Sequence, residues 1–224
     1  DVLGDEPLSG DARLAVEDVA SLARAMTRMV LDVLDVTRAD KRALQPRLAP
    51  LDPRALLAEA EHDARRVAQA AGKRLAASVA QEVPGRVHAD RDLLRRLVDN
   101  LLDNAFKYAP SGSEIRVEVG AAGAGAWTLA VRDEGRGVPE GERQRIFETY
   151  ARLGAHRDHA ARTSRGLGLA FCRLAAEAHG GSIWVEDNVP RGSAFVARLP
   201  VDPRAAVPMP SPASPHAAAP AAAR

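Results

Sequence analysis

The chain has 224 residues, 46% of them apolar and 27% charged, with a formal net charge of +1. Such a length holds one substantial domain plus something smaller, and such a composition is ordinary for a globular protein. The near-neutral charge gives no reason to expect nucleic acid or an anionic membrane as partner; no apolar run approaches the roughly 20 residues that span a bilayer; and the single Cys172 excludes an internal disulfide framework and fits a reducing, cytoplasmic compartment.

The pattern of residues 11–43 predicts one long helix. Val19, Leu22, Met26, Met29, Val33 and Val36 alternate steps of three and four, the seam of a coiled coil or bundle, and Val30 and Leu34 widen it. A lone amphipathic helix cannot bury such a stripe, so a dimeric helical bundle is preferred over a helix packed on its own domain. Pro46 and Pro50 break the pattern, and a short strand fits 47–51. Asp52-Pro53 starts a helix, with an N-cap followed by proline at the first helical position, and Gly72 stops it. Strands fit 74–79 and 86–88, and a strongly amphipathic helix fits 91–108, ended by Pro110. Residues 114–119 and 127–131 alternate apolar and polar side chains around a Gly-rich stretch, which predicts a hairpin. A short helix fits 140–153 and a basic loop 154–165. A helix follows over 166–179, where Cys172 is expected to be a buried structural thiol. The last strands fit 182–186 and 194–199. Beyond Pro200 the Pro/Ala-rich chain lacks apolar bulk and is expected to be disordered.

Three constellations carry chemistry. On the helix 91–108, Leu94, Leu97, Leu101 and Ala105 form an apolar face, while Asn100, Asn104 and Lys107 recur at steps of four and three on another. Amide oxygens are hard ligands for Mg²⁺ and lysine is a point-charge partner for phosphate, although a solvated polar face would look the same. Next, the strand ending at Asp133 runs into Glu134-Gly135-Arg136-Gly137. A carboxylate at the mouth of a pocket can accept from an exocyclic amine such as that of adenine, and the glycines let backbone approach a ligand. Finally, Arg165-Gly166-Leu167-Gly168-Leu169 opens a helix, whose exposed amides and dipole favour phosphate. The order of these parts matches neither a Walker loop nor a dinucleotide fingerprint.

Taken together and in order, these motifs resemble those of bacterial sensor histidine kinases, in the GHKL ATPase/kinase superfamily. The run from Asn100 through Asn104 and Lys107 to Pro110 resembles the family's N box, and Asp133-Glu-Gly135-Arg-Gly137 its first glycine box. Residues 145–152, with Phe147 and Tyr150, resemble the F box; Gly166-Leu-Gly168-Leu-Ala resembles the second glycine box. His179-Gly-Gly-Ser-Ile-Trp184 and Gly192-Ser-Ala-Phe195 are similar to its closing strands. The resemblance covers about residues 51–200, and the preceding helix resembles the second helix of the family's dimerisation and phosphotransfer hairpin.

The implied fold is α+β: a two-layer sandwich of a mixed sheet with helices on one face and a Bergerat-type ATP site, preceded by a long bundle-forming helix. The implied domains are 1–45, part of the hairpin; 46–201, the ATP-binding catalytic domain; and 202–224, a tail. The resemblance also implies roles. Asn104 would ligate Mg²⁺, Lys107 would contact phosphate, and Tyr108 would pack near adenine. Asp133 would accept from the adenine amine, with Gly135 and Gly137 giving the base room. Phe147 would anchor a flexible lid, Gly166, Leu167 and Gly168 would line the phosphates, and Arg157, Arg162 or Arg165 would supply lid charge. Asn100 stands where gyrase- and chaperone-type relatives carry a glutamate that activates water. An amide cannot act as that base, which favours phosphoryl transfer to a protein over hydrolysis. The implied partners are a second copy, through the helical bundle, and a response-regulator receiver domain.

Two positions depart from the family pattern. Ser164 replaces a glycine ahead of Gly166 and makes the lid hinge less permissive. The phosphoacceptor motif, a histidine followed by an acidic residue and commonly Arg-Thr-Pro, is incomplete: His62-Asp63-Ala64-Arg65 copies its start but lacks Thr-Pro and lies past the bundle helix. The acceptor is therefore expected upstream of Asp1, with 2–10 the end of its helix and the hairpin turn. Labelled ATP should then leave this chain unmodified. The competing reading is a degenerate nucleotide-binding scaffold that dimerises and gates a partner without phosphoryl transfer.

Overall fold

A computed structural model describes residues 44–123, 125–151 and 166–204, together with positions 16, 19, 23, 26, 27 and 30. Most of the expected N-terminal helix, the basic loop with Ser164 and Arg165, and the tail beyond 204 lie outside the described residues. The described positions before 44 are helical, and Val16, Val19, Met26 and Val30 are all more than half exposed.

The elements follow as β1 (Ala49–Leu51), α1 (Pro53–Ala70), β2 (Arg74–Val79), β3 (Val87–Ala89), α2 (Arg91–Tyr108), β4 (Glu114–Ala121) and β5 (Ala126–Asp133). Two single 3-10 turns, Glu140–Glu142 and Arg145–Phe147, precede α3 (Gly168–Ala178), β6 (Ser182–Asp187) and β7 (Ser193–Pro200). β2, β4, β5, β7 and β6 make one mixed sheet in that order, parallel only between β2 and β4. β1 and β3 pair antiparallel in a separate ribbon. Among the described residues no helix is long and apolar enough to cross a membrane.

The strand alternation decides which face carries the helices. Val117 pairs Val131, Val131 pairs Phe195, and Phe195 pairs Val185, so one apolar row crosses four strands. That row joins a core with Leu56, Leu57 and Ala60 of α1, Leu94, Leu97 and Leu101 of α2, and Phe171 and Ala175 of α3. The opposite face holds only a small cluster, Ala130, Ala194 and Val196 with Trp184 against them. There Arg132 reaches Glu118 at 2.8 Å and Glu186 at 3.7 Å. Helices on one face and charge on the other is the expected two-layer arrangement.

Local chemistry sets the helix ends. Asp52 caps α1 by accepting from the Arg54 amide at 2.9 Å, with Pro53 in the first turn. Asp90 caps α2 in the same way, accepting from the amides of Asp92 and Leu93 at 3.1 Å.

Three expectations need correction. Residues 140–151 form no α-helix; the last two positions of the expected helix lie outside the described residues. Glu148 leaves in an extended conformation (φ −78°, ψ 152°) and Tyr150 has φ +64°, because the adjacent Ile146 and Phe147 both drop into the core. α3 starts at Gly168 rather than Gly166, whose φ of +69° cannot continue into a right-handed helix. β3 lies one residue later than expected.

His179, just past α3, is 1% exposed. Its Nδ1 donates to the Ala175 carbonyl at 2.7 Å and its Nε2 accepts from the Asp90 amide at 2.9 Å, so the ring is neutral. Burial pushes its pKa down, against the opposing effects of the Ala175 carbonyl and the Asp90 charge. The folded state thus refuses a proton that the unfolded chain takes up, so this contribution is present above the ordinary histidine range and is lost as pH falls below about 6.5. The urea midpoint is expected to decline from pH 7 to pH 5, and to decline less in His179→Gln.

Candidate nucleotide site

The site assembles where α2, the end of β5 and the start of α3 meet. On α2, Leu94, Leu97 and Leu101 are fully buried and fix the helix against the sheet. That orientation leaves Asn100, Asn104, Lys107 and Tyr108 half-buried along the other side. Asn100 faces the start of α3: a Cβ on Gly168 would lie 3.2 Å from its Oδ1. Among the described residues no side-chain cap bond is found at the N-cap Leu167, and the first amides and the positive end of the α3 dipole lie at this end.

Tyr150 and Ala151 lie directly against Gly166. The Tyr150 amide donates to the Gly166 carbonyl at 3.0 Å, and a Cβ on Gly166 would meet the Ala151 carbonyl at 2.7 Å. Phe147 packs edge-on against Phe195, with centroids 6.3 Å apart and an interplanar angle of 78°. This ring contact holds Phe147 to the sheet, with Ile146 and Leu167 in the same core.

Asp133 ends β5 and is 3% exposed. Burial raises its carboxyl pKa, and the backbone amides of Gly135 and Ser193 oppose that shift. Its Oδ1 accepts from the Gly135 amide at 2.7 Å. The glycine turn sits directly on the end of α2: a Cβ on Gly135 would meet Asp133 Oδ1 at 2.6 Å and the Tyr108 carbonyl at 3.0 Å. Asp133 and the Tyr108 backbone thus both lie against Gly135. The Tyr108 ring has Lys107 Nζ 5.5 Å and the Arg136 guanidinium 5.4 Å from its centroid, within cation–π reach.

The turn between β6 and β7 packs against the end of β5. Asn188 Nδ2 donates to the Asp133 carbonyl at 2.9 Å, and the Asn188 amide bonds the Gly192 carbonyl at 3.1 Å. A Cβ on Gly192 would lie 1.8 Å from the Asp133 carbonyl oxygen, at φ +109°. Gly192→Ala must therefore displace the end of β5, with an expected cost of about 2 kcal/mol by urea denaturation.

A divalent ion finds a limited donor set. No cluster of three His, Cys, Asp or Glu side chains suited to a metal occurs among the described residues. The amides of Asn100 and Asn104 are neutral oxygen donors, which fit an ion whose remaining ligands are phosphate oxygens and water. His62 lies elsewhere, on the exposed side of α1, in a cleft of about 450 Å³ lined also by Glu59, Asp63, Arg91 and Arg95.

The family model described as histidine kinase-, DNA gyrase B- and HSP90-like ATPase matches residues 89–203. The chain belongs to that family. The chain is 33% identical over 189 residues to the adaptive-response sensory kinase SasA of Synechococcus sp. strain JA-3-3Ab, covering 84% of the chain and 49% of the relative. The chain spans about half the length of the curated relatives it matches. Full-length ShkA in complex with AMPPNP superposes with a TM-score of 0.68 at 26% identity, over 88% of this chain and 40% of that one. Histidine kinase ThkA, solved with response regulator protein TrrA, has a TM-score of 0.64 at 20% identity, over 91% of this chain and 55% of that one, and shares the fold. As a member of the family, the ATPase domain is an ATP-binding unit.

Sequence motifs located Asn100, Asn104, Tyr108, Asp133, Gly135, Gly166 and Gly168 in this one region of the ATPase domain. They missed Asn188 and the Ser193 amide, because neither carries a local signal. Arg136 carries no role in the motif reading, and a basic residue between two glycines after a strand-ending carboxylate was the signal available. Arg165 lies outside the described residues.

Proposed function

We propose that this domain holds Mg·ATP and transfers the γ-phosphoryl group to a histidine on a dimerisation hairpin, for relay to a response-regulator aspartate. In this reading residues 1–45 are part of that hairpin, 46–201 the catalytic domain and 202–224 a tail, in a cytoplasmic setting. What supports the transfer is the amide of Asn100, half-buried beside Gly168 at the mouth of α3. A side chain there that cannot take a proton from water leaves ATP intact until a protein nucleophile arrives.

The residues act by positioning and charge. Asp133 accepts from the adenine amine, Tyr108 flanks the base, and Gly135 lets backbone come close. Asn104 holds Mg²⁺, which neutralises phosphate charge when bound. Lys107 and the first amides of α3 take the phosphate oxygens. In the transfer the bond from the γ-phosphorus to the bridging oxygen breaks, ADP leaves with the electron pair, and the imidazole nitrogen gains the phosphorus. The exposed Val16, Val19, Met26 and Val30 supply an apolar stripe for a second copy. The complex of ThkA with a response regulator supports such a receiver as partner.

The test is phosphorylation in trans. A supplied hairpin fragment carrying a histidine should acquire acid-labile phosphate from labelled ATP and this chain. Steady release of inorganic phosphate with no labelled hairpin would instead make the domain a hydrolase.

A further inference from the structure

We propose that Asp90 and His179 form a positioning joint that sets the register of α3 along α2 and ties the segment entering the domain to the nucleotide site. The proposal rests on the Mg·ATP reading of that site.

Asp90 makes directional contacts beyond its helix cap. Its Oδ1 holds the amides of Asp92 and Leu93, and its Oδ2 accepts from the Arg47 amide at 2.7 Å. Arg47 lies just before β1, and the pairs Ala49 with Ala89 and Leu51 with Val87 stitch that incoming stretch to the residues leading into α2. The Asp90 amide, in turn, donates to His179 Nε2 at 2.9 Å. The Ala175 carbonyl takes the proton on Nδ1, which fixes the tautomer and leaves Nε2 as the acceptor.

α2 therefore touches α3 at both ends of α3. The start of α2 meets the end of α3 at Asp90 and His179; the middle of α2 meets the start of α3 at Asn100 and Gly168. Between these points lie Arg96 stacked 4.0 Å over the Phe171 ring and Cys172 Sγ 3.6 Å from the Leu97 carbonyl. Apolar surface, a cation–π contact and a thiol all tolerate a small axial slide. The buried imidazole hydrogen bond does not: a shift of one residue moves the helices by about 1.5 Å and breaks it. At the other end the same shift changes the gap between Gly168 and Asn100, which has no room for a methyl group without adjustment. Movement of the incoming segment acts on Asp90, and through it on both walls of the nucleotide site.

The test uses the full chain with His179→Leu, His179→Gln and, as a stability control, Val185→Ala in the same core on β6. Read-outs are the dissociation constant for a non-hydrolysable Mg·ATP analogue and hydrogen exchange of the amides of Gly168, Leu169 and Ala170. His179→Leu removes the acceptor and is expected to weaken binding about tenfold, a usual scale for residues that act on a ligand from a distance. It should also accelerate exchange at those amides. His179→Gln, whose Oε1 can accept from the Asp90 amide, should bind within about twofold of the native protein. Val185→Ala should lose stability but not affinity. Native affinity and exchange in His179→Leu would overturn the proposal, as would an equal loss in Val185→Ala. If His179→Leu fails to fold, Asp90→Asn keeps the helix cap and the amide while weakening the hold on Arg47; unchanged affinity there overturns the link to the incoming segment. Absence of nucleotide binding by the native chain would refute the site reading instead, and the exchange read-out would still judge the joint.

Discussion

Asn104→Ala is expected to lower phosphoryl transfer to a supplied histidine hairpin by about a hundredfold or more, the usual scale for losing one preorganised charge-stabilising contact. The substitution leaves the scaffold in place. Asn104 is half-buried beside the core residue Ala105, and alanine is a better helix former than asparagine. The urea midpoint should therefore stay the same or rise while activity falls. On the proposed reading, in which Asn104 holds the ion, the loss should appear as an altered dependence on Mg²⁺, because one oxygen donor is removed. Native activity with a native Mg²⁺ titration would remove Asn104 from the site. The neighbouring Asn100→Ala separates a different role: it should disturb the contact with Gly168 without altering the Mg²⁺ titration to the same degree.

Asp133→Ala should weaken nucleotide binding by about 10- to 100-fold, the equivalent of one hydrogen bond to a charged group. Here stability should also fall, because the Gly135 amide loses its acceptor at 2.7 Å inside a buried turn. Asp133→Asn separates the effects. Its Oδ1 can keep the Gly135 amide, yet its NH₂ meets the donor amine of adenine, so affinity should drop with little loss of fold. The pH dependence follows from the raised carboxyl pKa, which burial causes. As pH falls through that value the group takes up a proton and presents a donor to donors, so affinity should decline at a higher pH than for an ordinary aspartate. The stability effect has the opposite sign. A raised carboxyl pKa favours the folded state below the unfolded pKa and loses that contribution as pH rises through the folded value. Calorimetric titrations with ATP in parallel with urea melts should show affinity falling on acidification while this group's share of stability grows.

How legible these parts were in the sequence depends on the range of the interactions that set them. α2 could be read almost to its ends because its two faces carry separate messages, leucines for the core and Asn100, Asn104 and Lys107 for chemistry, and because Asp90 and Pro110 punctuate it locally. The β4–β5 hairpin was readable from apolar and polar side chains alternating around a Gly-rich stretch. Residues 140–151 were not: their charged, helix-favouring composition conflicts with the burial of adjacent Ile146 and Phe147, and packing won. The surroundings of Asp133 were equally hidden, since Asn188 reaches it from 55 positions away and Gly192 matters only through its contact with the Asp133 backbone. His179 was seen as part of a closing motif, but its partner Asp90 lies 89 positions earlier, and no local pattern relates the two.

The most direct measurement is a backbone amide shift map of the chain on titration with a non-hydrolysable Mg·ATP analogue. Shifts should concentrate on 100–108, on Asp133 to Gly137 and on Gly166 to Ala170, with Glu118, Arg132 and Glu186 on the opposite sheet face unmoved. Shifts centred on that charged face, or none at millimolar analogue, would contradict the site.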